Sequence, residues 1–228
     1  MIKMEVSLNK ILILLIVFST FLILVWFFHF LHVHSYVSTA QNLQNLNLSN
    51  VENIFSNVSY IEIEQNNITS IGSNAYKSGY ISLSTSIFSS RNNSVYSTYP
   101  TQIVSLVFLM NSSVSAANAL ATTIKSSNMT FLLSGYIYNG TYSTDYMING
   151  RTVKLYLIRS VGVFNFTSQL NSTTLKYLNM PVYEYTMLFN YSNLFCDIVA
   201  YAYTGNLSDR EMFKLPEILL NKLASVQR

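Results

Sequence analysis

The order of apolar and polar positions divides this chain into unlike parts. From Ile11 to Leu31 it reads ILILLIVFSTFLILVWFFHFL, uncharged, with only Ser19, Thr20 and His29 interrupting the apolar run. At about 1.5 Å per residue such a run reaches roughly 30 Å, the thickness of a bilayer's hydrocarbon core. A helix packed on a soluble core would keep a polar face, and this one has none. The run therefore predicts a transmembrane helix over 11–31. Lys3 and Lys10 precede it and no Lys or Arg follows until Lys77. That asymmetry makes 1–10 a cytoplasmic leader and sends the remainder outside the cell. Ser38-Thr39-Ala40 has the small side chains of a signal-peptide cleavage site. Signal peptides, however, carry apolar stretches of only about 7–15 residues, so an uncleaved signal-anchor is expected.

Residues 32–59 follow as a juxtamembrane stalk. Leu43, Leu46, Val51, Ile54 and Val58 recur at near-helical spacing in a polar background. This predicts a helix continuing the anchor, with a stripe that packs on the domain or on a second copy. The extracellular domain is expected over 60–228, and strand patterns dominate it. Tyr60 to Glu64 alternates apolar and acidic residues, Tyr76 to Phe88 is β-prone, and QIVSLVFLM from Gln102 to Met110 has the makings of a central strand. Val114, Ala117, Leu120 and Ile124 then share one face of a helix for which Ser113 is the natural N-cap.

Two Asn-Gly dipeptides, Asn139-Gly140 and Asn149-Gly150, each sit between β-prone stretches. Both predict hairpin turns, which makes 130–138, 141–148 and 151–159 an antiparallel meander. A further hairpin is expected from Val182 to Thr204, turning near Tyr191-Ser192-Asn193. In the C-terminal segment Ser208 and Glu211 have capping-box spacing. Pro216 should kink that helix or begin a second segment. Strand-rich stretches thus lead into a helix twice, without a repeat of residues. The expected fold class is α+β: an N-terminal transmembrane helix, then a mostly antiparallel sheet with helices packed on one face. In its order of elements the outer domain is similar to small extracytoplasmic domains of the PsbP or mycobacterial lipoprotein type.

Sequons change the picture next. Asn-x-Ser/Thr begins at Asn47, Asn57, Asn67, Asn92, Asn111, Asn128, Asn139, Asn165, Asn171, Asn190 and Asn206, always beyond the apolar run. Roughly five would arise by chance from the abundance of Asn, Ser and Thr, so the excess predicts a glycosylated surface. Cys196 is the sole cysteine. No intramolecular disulfide can form, and in the strand-like LFCDIV context a buried, inert thiol is expected. With its single span, missing disulfides and sequon-dense Tyr-, Asn- and Ser-rich outer part, the chain resembles archaeal cell-surface glycoproteins, which implies a location at the cell surface.

The candidates for chemistry are few. The net charge of +3 is small and unclustered, so nucleic acid is not an expected partner. All three histidines lie in HFLHVH, His29 to His34, so a base of the Ser-His-Asp or Cys-His kind is missing from 35–228. His29 and His32 stand one helical turn apart and have the spacing of a metal or haem pair. Trp26, Phe27, Phe28, Phe30 and Tyr36 surround them, which favours anchoring at the membrane–water boundary. Of the outer acids, Glu184 and Asp197 are the pair expected to face each other across the second hairpin. Lys154 and Lys176 are the candidates for a Ser–Lys dyad. Glycine-rich phosphate loops are missing from a chain with 7 glycines. Scarce carboxylates also leave few charges to lose in acid.

These readings converge on a membrane-anchored extracellular glycoprotein domain, not an enzyme and without a cofactor. Its expected role is binding, or that of an accessory subunit or envelope component. Membrane lipid is its partner through 11–31, and a protein partner is expected in the membrane or envelope. Two alternatives stand beside it. One is an archaeal pilin-like subunit, although Leu8-Asn9-Lys10 lacks the small residue of a processing site. The other is a redox or metal-handling accessory protein that uses His29 and His32.

Overall fold

The computed structural model describes residues 43–68, 78–91, 98–134, 136–163 and 181–226. In chain order these form helix α1 (Leu48–Ile54), strands β1 (Tyr60–Ile68), β2 (Tyr80–Ser90) and β3 (Gln102–Met110), then helix α2 (Ser113–Ser134). Strands β4 (Tyr136–Ile148), β5 (Arg151–Val163), β6 (Pro181–Tyr191) and β7 (Leu194–Ala202) follow, and helix α3 (Asp209–Val226) closes the chain. The seven strands make one sheet in the order β1-β2-β3-β7-β6-β5-β4, and every pairing is antiparallel. Two meanders, β1–β3 and β4–β7, are thus joined where β3 meets β7, and each leads into a helix.

The helices do not share a face, which corrects the expected architecture. Leu155 and Leu157 of β5, Met187 and Phe189 of β6 and Cys196 and Ile198 of β7 are buried with Met212, Leu215, Leu219 and Leu223 of α3. On the opposite face Ile158, Leu188 and Phe195 are buried with Ala116 and Leu120 of α2. The cause lies in β6, where Tyr185 through Phe189 are buried without alternation. A strand apolar on both sides needs cover on both sides. Beneath α2 the cover includes an aromatic row: Tyr80 meets Phe108 edge-on at 5.2 Å, and Phe108 stacks on Phe195 at 5.6 Å. The transmembrane helix expected over 11–31 lies outside the described residues, and among those no helix is long and apolar enough to cross a membrane. The fold described is a helix–sheet–helix layering with no spanning helix in it.

Residues assigned to the stalk enter the core of this layering. Leu46 and Val51 are fully buried, and Phe55 and Val58 nearly so. α1 starts afresh at Asn47, whose side chain accepts the Asn50 N–H at 3.1 Å while Asn50 returns the bond to the Asn47 N–H. Asn45 fixes this entry. Its buried amide donates to the Ser84 and Ser105 carbonyls, both at 3.0 Å, and its oxygen accepts from Ser105 Oγ at 2.6 Å and Leu46 N at 2.8 Å. From α3, Lys222 Nζ donates to the Asn45 carbonyl at 2.5 Å.

The turn chemistry resolves unevenly. Asn149 (φ 49°) and Gly150 (φ 73°) both adopt the left-handed conformations of a tight two-residue hairpin, as expected. Asn139-Gly140 makes no turn. β4 runs through it as one strand, and the register shifts between Tyr138 and Gly140, a bulge that takes up the extra residue. Residues 130–134 belong to α2 instead of a strand. Ser192 (φ 55°) and Asn193 close the β6–β7 hairpin where it was expected. The N-cap of α2 is Ser112, one residue earlier than expected: its Oγ accepts the Ser115 N–H at 3.0 Å. Pro216 sits inside an unbroken α3, whose start Ser208 caps by accepting the Glu211 N–H at 3.2 Å.

Candidate functional site

α2 covers the end of its sheet face that holds Met110, Phe108, Phe195 and Leu188. The other end of the same face carries a groove of about 430 Å³ lined by Thr101, Gln102, Val104, Val182, Tyr201 and Tyr203. Strand pairing fixes its walls. Gln102 is opposite Tyr201 and Val104 opposite Val199, so β3 and β7 supply one side. Thr101 ties the rim to β7 twice, with its N–H 2.8 Å and its hydroxyl 3.1 Å from the Tyr201 carbonyl. Val182 of β6 enters from the other side, opposite Gly162.

One row of side chains crosses the sheet from Tyr201 of the groove, and its other two members, Glu184 and Ser160, are not among the residues that line the groove. Ser160 of β5 is opposite Glu184 of β6, which is opposite Tyr201 of β7. Residues opposite one another in an antiparallel ladder project on the same face. Glu184 is half-buried, and burial raises its carboxyl above the usual range, partly offset by a bond from the Thr186 hydroxyl at 3.1 Å. Ser160 is 2% exposed, and its Oγ finds no hydrogen-bond partner. The Tyr201 phenol is pushed up to about 12, first by burial and then by the charges of Glu184 and Asp197.

Asp197 lies on the same face but not in the same row. It is opposite Leu188, four positions along β6 from Glu184. At about 3.4 Å per residue the two backbones are offset by roughly 14 Å. Glycosidase carboxyls stand about 5–10 Å apart, so the strands do not set these two as a facing catalytic pair. They still sense each other. Asp197 is pushed up to about 7, mostly by burial and then by the Glu184 charge. Part of the residue keeps contact with solvent, but its Oδ1 is sealed and unpartnered. Burial thus favours the protonated form of Asp197.

The remaining candidates disperse. His29 and His32 lie outside the described residues, as does Lys176. Lys154 is exposed, with its Nζ 5.8 Å from the Tyr156 ring centre, so it offers no buried amine to a serine. Cys196 is fully buried on the α3 face, where burial and then Asp197 hold its thiol well above the usual range. Among the described residues no three His, Cys, Asp or Glu side chains come together as a metal site. Of the sequon asparagines, Asn47, Asn57, Asn67, Asn111, Asn139 and Asn206 are exposed and Asn190 is half-buried on β6. The side chains of Asn92, Asn128, Asn165 and Asn171 lie outside the described set.

Sequence reasoning missed the groove and Ser160. One signal was available: Glu184 shares strand parity with Val182, Thr186 and Leu188, an acid on a face that the strand largely buries. Neither a family model nor a curated protein matches the chain. Among solved structures, the extracellular domain of PknH from Mycobacterium tuberculosis is similar in backbone, with a TM-score of 0.46 and 11% identity over 78% of this chain and 93% of that one.

Proposed function

We propose that the chain is a non-catalytic binding domain working outside the cell as an accessory or envelope component. Residues 11–31 take lipid as their partner, and the exposed asparagines carry glycans. The groove beside Glu184 carries this reading. It joins apolar walls to a few polar groups, and its described lining holds Thr, Gln and Tyr with no serine or cysteine bonded to a base, the composition of a recognition site more than a reactive one. The outside location rests on the uncharged run, on the lysines that precede it, and on the sequons beyond it. The exposed placement of six described sequon asparagines is compatible with glycan attachment.

Protease added to intact cells tests the location. Cleavage should remove peptides from 43–226 and spare 1–10, and mass spectrometry of the released peptides should find glycans at Asn57, Asn139 or Asn206. A domain that survives on intact cells and is cut only after lysis, with every sequon bare, overturns the proposal.

A further inference from the structure

We infer that the outer edge of β4 pairs with the same edge of a second copy of this chain, and that a glycan on Asn139 keeps that edge closed. The second half rests on the reading of the exposed asparagines as glycan carriers. β1 and β4 are the two outermost strands of the described sheet. An outer strand leaves roughly half of its backbone N–H and C=O groups facing away from its neighbour, a template for another strand. Charges and bulges blunt such an edge. β1 has both, since Glu62 and Glu64 flank its register shift. β4 spans 13 residues with no proline and one charge, Asp145, which already faces Lys154 of β5. Its side chains stand in solvent, with Ile137 66% and Met147 68% exposed.

Charge selects the occupant. Antiparallel self-pairing over the whole of β4 puts the two-fold axis at Tyr142, so that two tyrosines face each other. Asp145 then lies beside the Tyr138–Gly140 shift of the other copy, where no charge stands. The same operation on β1 sets Glu64 against Glu64, like charges directly opposed. Pairing of β4 with the β1 of another copy would leave free edges at both ends and grow without closing, whereas the β4 pair closes as a dimer.

The sequon Asn139-Gly140-Thr141 lies within this edge, and Asn139 is exposed. An incoming strand must come within about 4.8 Å, and a bulky glycan at Asn139 crowds that approach. Glycan occupancy at one position thus decides between single and paired copies.

The test compares full-length chains purified in non-ionic detergent from a glycosylating host: wild type, Thr141→Ser, which keeps the sequon, and Thr141→Ala, which ends it and leaves Asn139 in place. Mass spectrometry reads occupancy and sedimentation velocity reads association. Wild type and Thr141→Ser should carry the glycan and associate at least about tenfold more weakly than Thr141→Ala. Asn139→Gln repeats the comparison should the alanine variant fail to fold. Adding Tyr142→Lys to Thr141→Ala should abolish the gain, because two lysines then meet at the axis, whereas adding Ile61→Lys on β1 should not. A glycan present at Asn139 whose loss leaves association unchanged overturns the inference and spares the glycan reading. A gain that Tyr142→Lys does not reverse places the contact elsewhere and overturns the edge assignment. A bare Asn139 in the wild type overturns the guard together with the glycan reading at that position.

Discussion

Replacing Asp197 with asparagine tests whether the sheet buries a carboxylic acid more readily than a carboxylate. In the unfolded chain this group titrates near 3.8, and in the folded protein near 7. A folded value above the unfolded one means that the fold binds the proton more tightly. Its contribution to stability is therefore fully present below about pH 4 and is lost as pH rises toward 7. Three units at 1.36 kcal/mol each amount to about 4 kcal/mol; because part of the residue stays wetted, roughly 2 kcal/mol is the lower expectation. Asparagine keeps the shape and cannot titrate, but its amide N–H groups need acceptors that a carboxyl does not, a cost of about 1–3 kcal/mol at every pH. The decisive quantity is therefore the change with pH and not the stability at one pH. Urea unfolding of the full chain in non-ionic detergent, followed by tyrosine near-ultraviolet circular dichroism, supplies it at pH 4 and pH 8. The wild type should lose about 2–4 kcal/mol more than Asp197→Asn between those values. Parallel profiles for the two proteins, within about 0.5 kcal/mol, would refute the reasoning, because they would mean that Asp197 is already ionised in the fold.

Three further outcomes follow from the packing. Asn45→Ala removes a fully bonded buried amide and should cost about 2–4 kcal/mol, whereas Asn47→Ala, which removes an exposed cap, should cost about 1 kcal/mol; equal losses in urea titrations would count against the buried network. Cys196 should not react with a disulfide reagent in the folded protein and should react fully in guanidinium, since the thiol is sealed and held protonated; labelling under native conditions at the rate of a free thiol would contradict this. The Arg159 guanidinium lies 5.0 Å from the Tyr142 ring centre and 5.7 Å from that of Tyr185, besides pairing with Asp209. Arg159→Lys should lose about 1 kcal/mol, largely preserved in 1 M salt because ring contact is screened less than the ion pair; a loss that vanishes in salt would assign the whole effect to Asp209.

How much of this was legible in the chain varies with the range of the interaction. β3 was readable to its ends because one run, apolar but for Gln102 and Ser105, decides it, and the Ser192-Asn193 turn because its two flanking strands are nearest neighbours. Asn139-Gly140 misled for a physical reason. The dipeptide reports that the backbone tolerates unusual dihedrals there, and either a turn or a bulge satisfies that. The unbroken partner from Arg151 to Val163 selects the bulge. Placement of the helices on opposite faces was readable in principle from Tyr185–Phe189, where apolar character does not alternate. The groove was not readable, because its walls come from the β3–β7 junction, where Gln102 meets Tyr201. Nothing local to either segment specifies that pairing.

The same long-range pairing reverses the chain's expected response to acid. Counting carboxylates suggests only that there are few charges to lose. The fold adds a sign: Asp197, Glu184 and Glu217 all have their carboxyls raised by burial, so each favours the folded chain more as pH falls. Many proteins weaken in acid because carboxylates paired in the fold must take up protons. For these three acids burial outweighs pairing, and acid removes a cost.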